Sequence, residues 1–529
     1  MSGTEDRVSA THSSLFQPAC YPGRRPPTSW TKIENLGALL ACVTLLCTGA
    51  LRAQTSGVNN SALNGAYVFN LNGFSVNAGV SSPFAALGRF NADGAGNLTA
   101  GMLDTNGVGS SAVLSRQAFS GTYAIGSDNR GVMTLTVPGG SMILAFAMMA
   151  AGNAKVIRFD ATGGNGTVSS GTIEKISNGV IKAQKINGAY AFGVAGFDTA
   201  NNRTALVGRL TGNGAAGVFT NEAADIYEYG SSSPATFTTA NYTVTDATMG
   251  RGTINLACSI GGMPRNFNFV FYYVSPAELL LMETDSITSS NALLNGQALG
   301  QVIPPNGFSN TSLNGDVVIY LTAHSTCGSA TTASPIVLAG LLTGNGSGAL
   351  NVTFDQNCGG IPVSFTNVPG TYSVASDGRA SMTIGPYNVV AYLVNPNRAF
   401  ILGTDSSGFG EVHPAGPYTN GSVAGTYAGS PIYPASAEVT IFSGEFNANG
   451  TSPTGTIIGT EDTGALAGPS SGSAFKATYS ISSSPTSGRG NMTITSGAGG
   501  SAIVYVASPS EFVAVPMNDS NPAVWLFQK

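Results

Sequence analysis

The sequence predicts an all-β protein built from four tandem antiparallel meander domains of about eight strands each. Composition is one reason: Gly accounts for 70 of 529 residues, and charged residues make up only 9%, against about 25% in an average soluble protein. Because Gly, Ser, Thr and Asn favour turns and are poor helix formers, we expect short strands joined by tight turns. With 42% hydrophobic residues, the chain can still bury cores, which excludes full disorder.

A long internal repeat is the second reason. Four copies of one unit open with similar segments, whose glycines Gly65, Gly188, Gly315 and Gly425 lie 123, 127 and 110 residues apart. In every copy a turn of the type Gly-x-Phe/Leu-x-x-x-Gly follows, at 88–94, 208–214, 340–346 and 444–450. Repeats of this length are large enough for each to have its own hydrophobic core, which disfavours a solenoid.

Within a copy, the predicted elements follow in a fixed order. The opening motif begins the first strand, and Asp-Gly or Asn-Gly pairs between apolar runs mark tight hairpins. Midway, a strand with a tyrosine leads into an arginine turn and then into a strand with period-two alternation, as in 133–137, 253–256 and 381–384. A late apolar strand breaks at a turn and resumes. Since consecutive hairpins need no crossover, each copy is predicted to be a meander.

The tyrosine of the middle strand and the arginine of the turn after it are the candidates for a structural role. We expect the tyrosines to plug a core or a barrel end. We expect each guanidinium to bind turn carbonyls or a carboxylate of its own copy, such as Asp128, Asp246 or Asp377, because a buried charge without partners is costly. The pairs are Tyr123 with Arg130, Tyr242 with Arg251, Tyr372 with Arg379, and Tyr479 with Arg489.

Eight meandering strands must protect their sheet edges. Up-and-down barrels of the lipocalin or avidin type do so by closure, and β-sandwiches are the alternative. The short turns favour the barrel, and since each copy has a full strand complement, we expect it to fold on its own. The predicted divisions are a leader at 1–53 and β-domains at 57–179, 182–302, 308–416 and 419–529.

The leader contains an uncharged, mostly apolar stretch at 36–51, preceded by Arg24, Arg25 and Lys32. This stretch is shorter than the roughly 20 residues of a membrane-spanning helix and matches a signal-peptide core, with cleavage favoured after Ala53. Retention as an uncleaved anchor is the alternative, and it would be the chain's link to a membrane. We therefore expect a secreted or cell-surface protein, exported through the segment around 36–53.

Three cysteines follow the leader: Cys258, Cys327 and Cys358. An odd number in an oxidising compartment is compatible with one disulfide and one buried thiol. Cys327 and Cys358 have no counterparts in the other copies and are the disulfide candidate, worth roughly 3 to 4 kcal/mol in the chain-entropy model. Cys258 lies on an alternating strand and is the expected thiol.

No constellation points to catalysis, a cofactor or a metal, so we predict that the protein is not an enzyme. His324 and His413 lie in one copy and are expected to be exposed loop residues without further zinc ligands nearby. Segments 468–472 and 212–217 match a nucleophile elbow and a dinucleotide loop, but neither precedes a predicted helix. The segment 91–97 faintly resembles a calcium loop, although the equivalent turns lack a carboxylate.

The turn motifs together resemble uncharacterised, secreted tandem β-repeat proteins of soil bacteria. The resemblance spans nearly all of the chain after the leader and rests on the pattern NGxY, GNG, GTYxxxxDxRG and SPxE. It implies export and repetition and carries no functional residue.

Two functions from different classes are expected. The first is a non-catalytic surface or extracellular protein for binding, adhesion or spacing, because repetition multiplies weak sites. Its candidate partner is a surface glycan or another extracellular macromolecule. The alternative is a carrier of small apolar ligands inside the barrels, and a secreted hydrolase is third. With a formal charge of -5 and only 22 Lys and Arg residues, nucleic acid is not an expected partner.

Overall fold

A computed structural model describes residues 57–108, 112–177, 186–214, 216–404, 408–482, 488–497 and 500–529. The chain divides into two units, Met1–Arg52 and Ala53–Lys529, and the predicted leader lies outside the described residues. In the second unit, 32 strands form four closed antiparallel barrels of eight strands. This confirms the predicted fold class and the barrel over the sandwich.

Each barrel is a meander whose first strand pairs with its eighth. The first barrel contains β1 (Asn64–Asn77), β2 (Val80–Asp93), β3 (Asn97–Val108), β4 (Ala112–Ile125), β5 (Arg130–Val137), β6 (Gly140–Met148), β7 (Ala154–Arg158) and β8 (Gly166–Lys175). The second contains β9 (Gly188–Phe197), β10 (Arg203–Asn213), β11 (Val218–Glu228), β12 (Ser231–Asp246), β13 (Arg251–Ile260), β14 (Met263–Ser275), β15 (Glu278–Glu283) and β16 (Leu293–Gly300).

The third barrel contains β17 (Asn314–Thr326), β18 (Ala333–Asn345), β19 (Ala349–Cys358), β20 (Ile361–Val374), β21 (Arg379–Ile384), β22 (Tyr387–Asn395), β23 (Arg398–Gly403) and β24 (Phe409–Pro414). The fourth contains β25 (Gly425–Ile432), β26 (Ile441–Ala448), β27 (Gly455–Gly464), β28 (Ser470–Ile481), β29 (Arg489–Ser496), β30 (Ser501–Ser508), β31 (Glu511–Pro516) and β32 (Val524–Gln528). Short 3-10 helices at Asn60–Ala62, Asn310–Ser312 and Asn420–Val423 precede the first, third and fourth barrels.

The strands follow the predicted alternation because one face of each strand points into its own barrel. Along β5, Met133 and Leu135 are buried in the first core while the threonines between and after them are more exposed. Each barrel has one such apolar core. No helix in the part of the chain that the structure describes is long and apolar enough to cross a membrane.

Neighbouring barrels pack through the same two faces each time. The first strands of one barrel contact the last strands of the next: β1 and β2 against β14 to β16, β9 and β10 against β22 and β23, and β17 and β18 against β30 to β32. In the same way β25 and β26 of the fourth barrel contact β6 to β8 of the first. The four barrels therefore close into a ring with a four-fold repeat of contacts.

The outward faces that meet in the ring are apolar. Between the third and fourth barrels, for example, Val318, Tyr320, Tyr505, Val513 and Val524 form one buried cluster. Equivalent clusters lie at the other three contacts. Independent folding of a single copy stays a prediction, but isolating a barrel would expose these faces to water.

Candidate ligand-binding site

The expectation that each recurrent guanidinium binds turn carbonyls or a carboxylate of its own copy is wrong for three of the four. Each of these three arginines binds an aspartate on the third strand of the preceding barrel, through Nε and Nη2. The distances are 2.8 and 2.7 Å for Arg251 with Asp104, 2.8 Å twice for Arg379 with Asp225, and 2.8 Å twice for Arg489 with Asp355. We call these contacts the interbarrel staples.

A tyrosine on the strand paired with the arginine completes each of these staples. Tyr272, Tyr392 and Tyr505 donate to the same aspartates at 2.7, 2.8 and 2.5 Å. Burial alone would raise the pKa of Asp355, but hydrogen bonds from Arg489, Ser364 and Tyr505 outweigh it and hold that pKa below its ordinary value. A fully hydrogen-bonded, bidentate ion pair of this kind fixes the mutual orientation of two barrels.

The fourth staple joins the first barrel to the fourth, and its hydrogen-bond partners differ from those of the other three. Arg130 Nη1 of the first barrel lies 2.6 Å from Asp462 of the fourth, and its Nε lies 2.7 Å from Asp128 of its own turn. The expected local pair therefore exists here in addition to the interbarrel contact. Ala147 stands where the other copies have the tyrosine. This staple closes the ring.

In copies two and three, the aspartates expected as local partners accept hydrogen bonds from backbone amides of their own turns instead. Asp246 accepts backbone N–H bonds from Thr248 and Met249, each at 3.0 Å, and Asp377 accepts one from the amide of Arg379 at 3.0 Å. These carboxylates shape the turn that aims the guanidinium outward. The sequence analysis did not identify the aspartates that bind the guanidinium groups. Such an aspartate nevertheless recurs at the same place on the third strand of every copy.

The four recurrent tyrosines close one end of each barrel. Tyr123, Tyr242, Tyr372 and Tyr479 are buried. The hydroxyl groups of the first three donate to the main chain that enters their barrel, at Leu63 O (2.7 Å), Ile186 O (2.9 Å) and Leu313 O (2.6 Å). Tyr479 accepts from Gly450 N at 3.0 Å. They plug the barrel ends and offer no open site.

The two histidines are not exposed loop residues, so this expectation is wrong. His324 lies on β17 beside Phe197, and burial, with Arg203 nearby, lowers its pKa to about 4. His413 lies on β24 between Glu411 and Glu511, with Nε2 at 3.1 Å and Nδ1 at 2.8 Å from the two carboxylates. Burial would lower its pKa, but the two carboxylates outweigh burial and raise the pKa to about 9.

An apolar cavity of about 480 Å³ opens inside the third barrel. Ile319, Leu321, Leu338, Val352 and Phe354 line its wall, and a few polar side chains lie among them. A void in the core of the second barrel, beside Tyr190 and Phe192, measures only about 10 Å³, too small to hold more than a single water. We call the larger cavity of the third barrel the calyx.

Copy three carries smaller inward side chains than copy one at some positions, of which Ile319 lines the cavity. On the first strand, Val317 and Ile319 occupy the places that Tyr67 and Phe69 fill in the first barrel. On the sixth strand, Ala391 stands where the first barrel has Phe146, since the residues beside them pair with the equivalent arginines. At Ile319, an isoleucine in place of a phenylalanine leaves more room inside the barrel.

The mouth of the calyx is apolar and held by the disulfide. Cys327 and Cys358 form a disulfide bond, and both line the cavity. Around the mouth, Ile361, Val363 and Tyr387 keep 55%, 37% and 43% of their surface exposed. These three side chains form an exposed apolar rim at the opening of the cavity.

The other candidates from the sequence have structural roles. Cys258 is a buried free thiol on β13. Strand β10 ends at Asn213 and the next element is strand β11 from Val218, and 468–472 enters strand β28, so a strand rather than a helix follows each segment. Asp93 accepts from Ala95 N and from both nitrogens of Asn97, which lowers its pKa to about 2. Within the described ranges, no three His, Cys, Asp or Glu side chains gather as metal ligands.

The chain matches no protein-family model, and the search of characterised proteins finds no similar sequence.

Proposed function

We propose that the protein is a non-catalytic extracellular binding protein whose third barrel carries a small apolar ligand. The observation that carries this proposal is the calyx of about 480 Å³, a volume within the range of about 300–1,000 Å³ typical of small-molecule sites. Its wall is mainly aliphatic, so the favourable term is removal of apolar ligand surface from water. Gln356 and Asn388 on the wall would orient a single polar group of the ligand.

Carriage by one barrel agrees better with the ring than a role in spacing. A spacer is expected to be an extended row of domains, whereas these barrels pack side by side. Adhesion to a surface glycan or another macromolecule has no specific geometric support beyond the repeat itself. Export through the segment around 36–53 is part of the proposal and rests on the sequence pattern alone.

The proposal is tested with N-phenyl-1-naphthylamine, an apolar dye that fluoresces on leaving water. We expect one dye per chain to bind, and Ile319→Phe and Leu338→Phe each to weaken binding at least about tenfold, because each ring fills part of the cavity. Ile458→Phe is the matched control, since Ile458 is 59% exposed on the fourth barrel. If both cavity-filling variants bind the dye with the affinity of the wild type, the calyx is not the binding site.

A further inference from the structure

A second cavity, of about 360 Å³, lies where the four barrels meet, and every barrel contributes to its wall. Unlike the calyx, it is lined by charged and amide side chains. The ionisable carboxyl and basic groups on its wall are Lys155 and Glu174 from the first barrel, Glu278 from the second, Arg398, Glu411 and His413 from the third, and Glu511 from the fourth. Tyr320 and Tyr433 also face it. We call it the axial cavity.

Three of these groups satisfy one another. His413 bridges Glu411 and Glu511. The remaining oxygens accept from Gln297 Nε2, at 3.2 Å from Glu411, and from Gln528 Nε2, at 2.7 Å from Glu511. Tyr320 lies 3.2 Å from His413 Nε2 through its hydroxyl. The imidazole and the two carboxylates of this cluster offset one another's charge, so the other groups of the wall are the candidates for ligand contacts.

The two basic side chains have no such partner. Lys155 is 1% exposed and lines the axial cavity. Among the described residues, no carboxylate lies within 4.0 Å of its ammonium, and none lies that close to the guanidinium of Arg398. Arg398 Nε is also buried without a hydrogen-bond partner in the described chain. A buried lysine and a half-buried arginine beside a cavity, without direct counter-ions, are expensive to keep.

The remaining two carboxyl groups are in contact with each other. Glu278 hydrogen bonds to Glu174, and burial together with that neighbour raises the pKa of Glu278 to about 9. Ionising both of two neighbouring buried carboxyl groups is costly, which favours the protonated form of Glu278. An ammonium group from a ligand would serve the same purpose as the proton.

We propose that the axial cavity binds a small zwitterion of amino-acid or dipeptide size. The ligand's carboxylate pairs with Lys155 and Arg398, and its ammonium group lies between Glu174 and Glu278. On binding, Glu278 loses its proton to solvent and the ligand's ammonium takes its place beside the two carboxylates, so the released proton balances the change of one unit in the charge of the site. The site is independent of the calyx, which lies within one barrel and takes an apolar ligand.

The test uses isothermal titration calorimetry with L-alanyl-L-alanine on the intact chain. We expect binding with release of about one proton at pH 7, seen as a dependence of the heat on the ionisation enthalpy of the buffer. N-acetylation of the dipeptide, or amidation of its carboxyl group, should each weaken binding at least about tenfold, since each removes one charged contact.

Variants locate the site. Lys155→Met and Glu278→Gln should each weaken dipeptide binding at least about tenfold, whereas Lys476→Met and Glu438→Gln, at exposed positions of the fourth barrel, should leave it unchanged. If a cavity variant fails to fold, the affinities of the unmodified protein for the N-acetylated and the amidated dipeptide test the proposal. No measurable heat with the dipeptide, equal binding of its blocked forms, or preference for succinate or putrescine would overturn the proposal.

Discussion

Arg251 shows how a single residue can hold two domains together. Its Nε and Nη2 bind Asp104, Nη1 donates to Thr245 Oγ1 at 2.8 Å, and Nη2 also donates to Ser115 at 3.0 Å. The side chains of the pair are 4% and 0% exposed. Such a pair is a weak source of net stability against an apolar contact, but removing one partner leaves a buried charge and is severe.

Arg251→Ala should therefore lower the free energy of unfolding by about 3–5 kcal/mol, because Asp104 loses its counter-ion in a dry interface. The matched control is Arg116→Ala, which breaks the pair with Asp246 at 3.5 Å, where the arginine is 48% exposed. That change should cost less than about 1 kcal/mol. Chemical denaturation of the two variants measures both. Equal, small losses would contradict the role of the staple.

His413 makes stability depend on pH in a defined direction. Its pKa is about 9 in the folded protein, above the ordinary value of 6.5. Its contribution is thus fully present below about pH 6.5 and lost as the pH rises through 9. The difference in melting temperature between the wild type and His413→Gln should shrink across that window. A difference that is constant from pH 6 to 9 would show that His413 is not charged between its two glutamates.

The sequence shows which residues recur, but it does not show in which barrel the partner of each recurrent arginine lies. Arg251, Arg379 and Arg489 stand out because charge is rare in this chain, and their structural importance follows from that rarity. Their partners could not be assigned, since a repeat offers the same aspartate in its own copy and in the neighbouring one. His413 was misjudged for a related reason: its partner Glu511 lies in another barrel, and local sequence contains no trace of that contact.

At the scale of elements, the first strand of copy three differs from its counterparts. Copies one, two and four have a tyrosine two residues after the opening glycine, whereas β17 has Val317 at that place. The sequence shows this difference, but Val317 does not line the calyx, so the difference alone does not locate the cavity. Strand number, order and direction were predictable because hairpin turns are local; cavity volume was not, because it depends on all eight strands.

The disulfide belongs to this element-level description because it joins the ends of β17 and β19 at the mouth. Cys327→Ser with Cys358→Ser should lower unfolding free energy by about 3–4 kcal/mol, since the loop closed by 31 residues is freed in the unfolded chain. Dye binding to the calyx should weaken as well. Reducing agent should reproduce both effects in the wild type and change nothing in the double variant. A variant that keeps full stability and dye affinity would contradict this role.

At the scale of the whole molecule, closure of the ring sets the overall dimensions. Barrels that pack side by side give a radius of gyration of roughly 25 Å, whereas the same four barrels in a row give roughly 40 Å, from the usual scaling of domain size. Small-angle X-ray scattering on the chain from residue 54 onward separates the two. We expect the smaller value; a value near that of the row would contradict the ring.

The fourth staple is where the ring closes, so it carries the central claim. Arg130 and Asp462 are separated by 332 residues and meet only if the first and last barrels touch. A double-mutant cycle with Arg130→Ala and Asp462→Ala measures their coupling directly from unfolding free energies. We expect a coupling of about 1–3 kcal/mol, as for residues in one buried network. Additivity within about 0.5 kcal/mol, the behaviour of distant sites, would show that the two barrels do not meet and would contradict the closed ring.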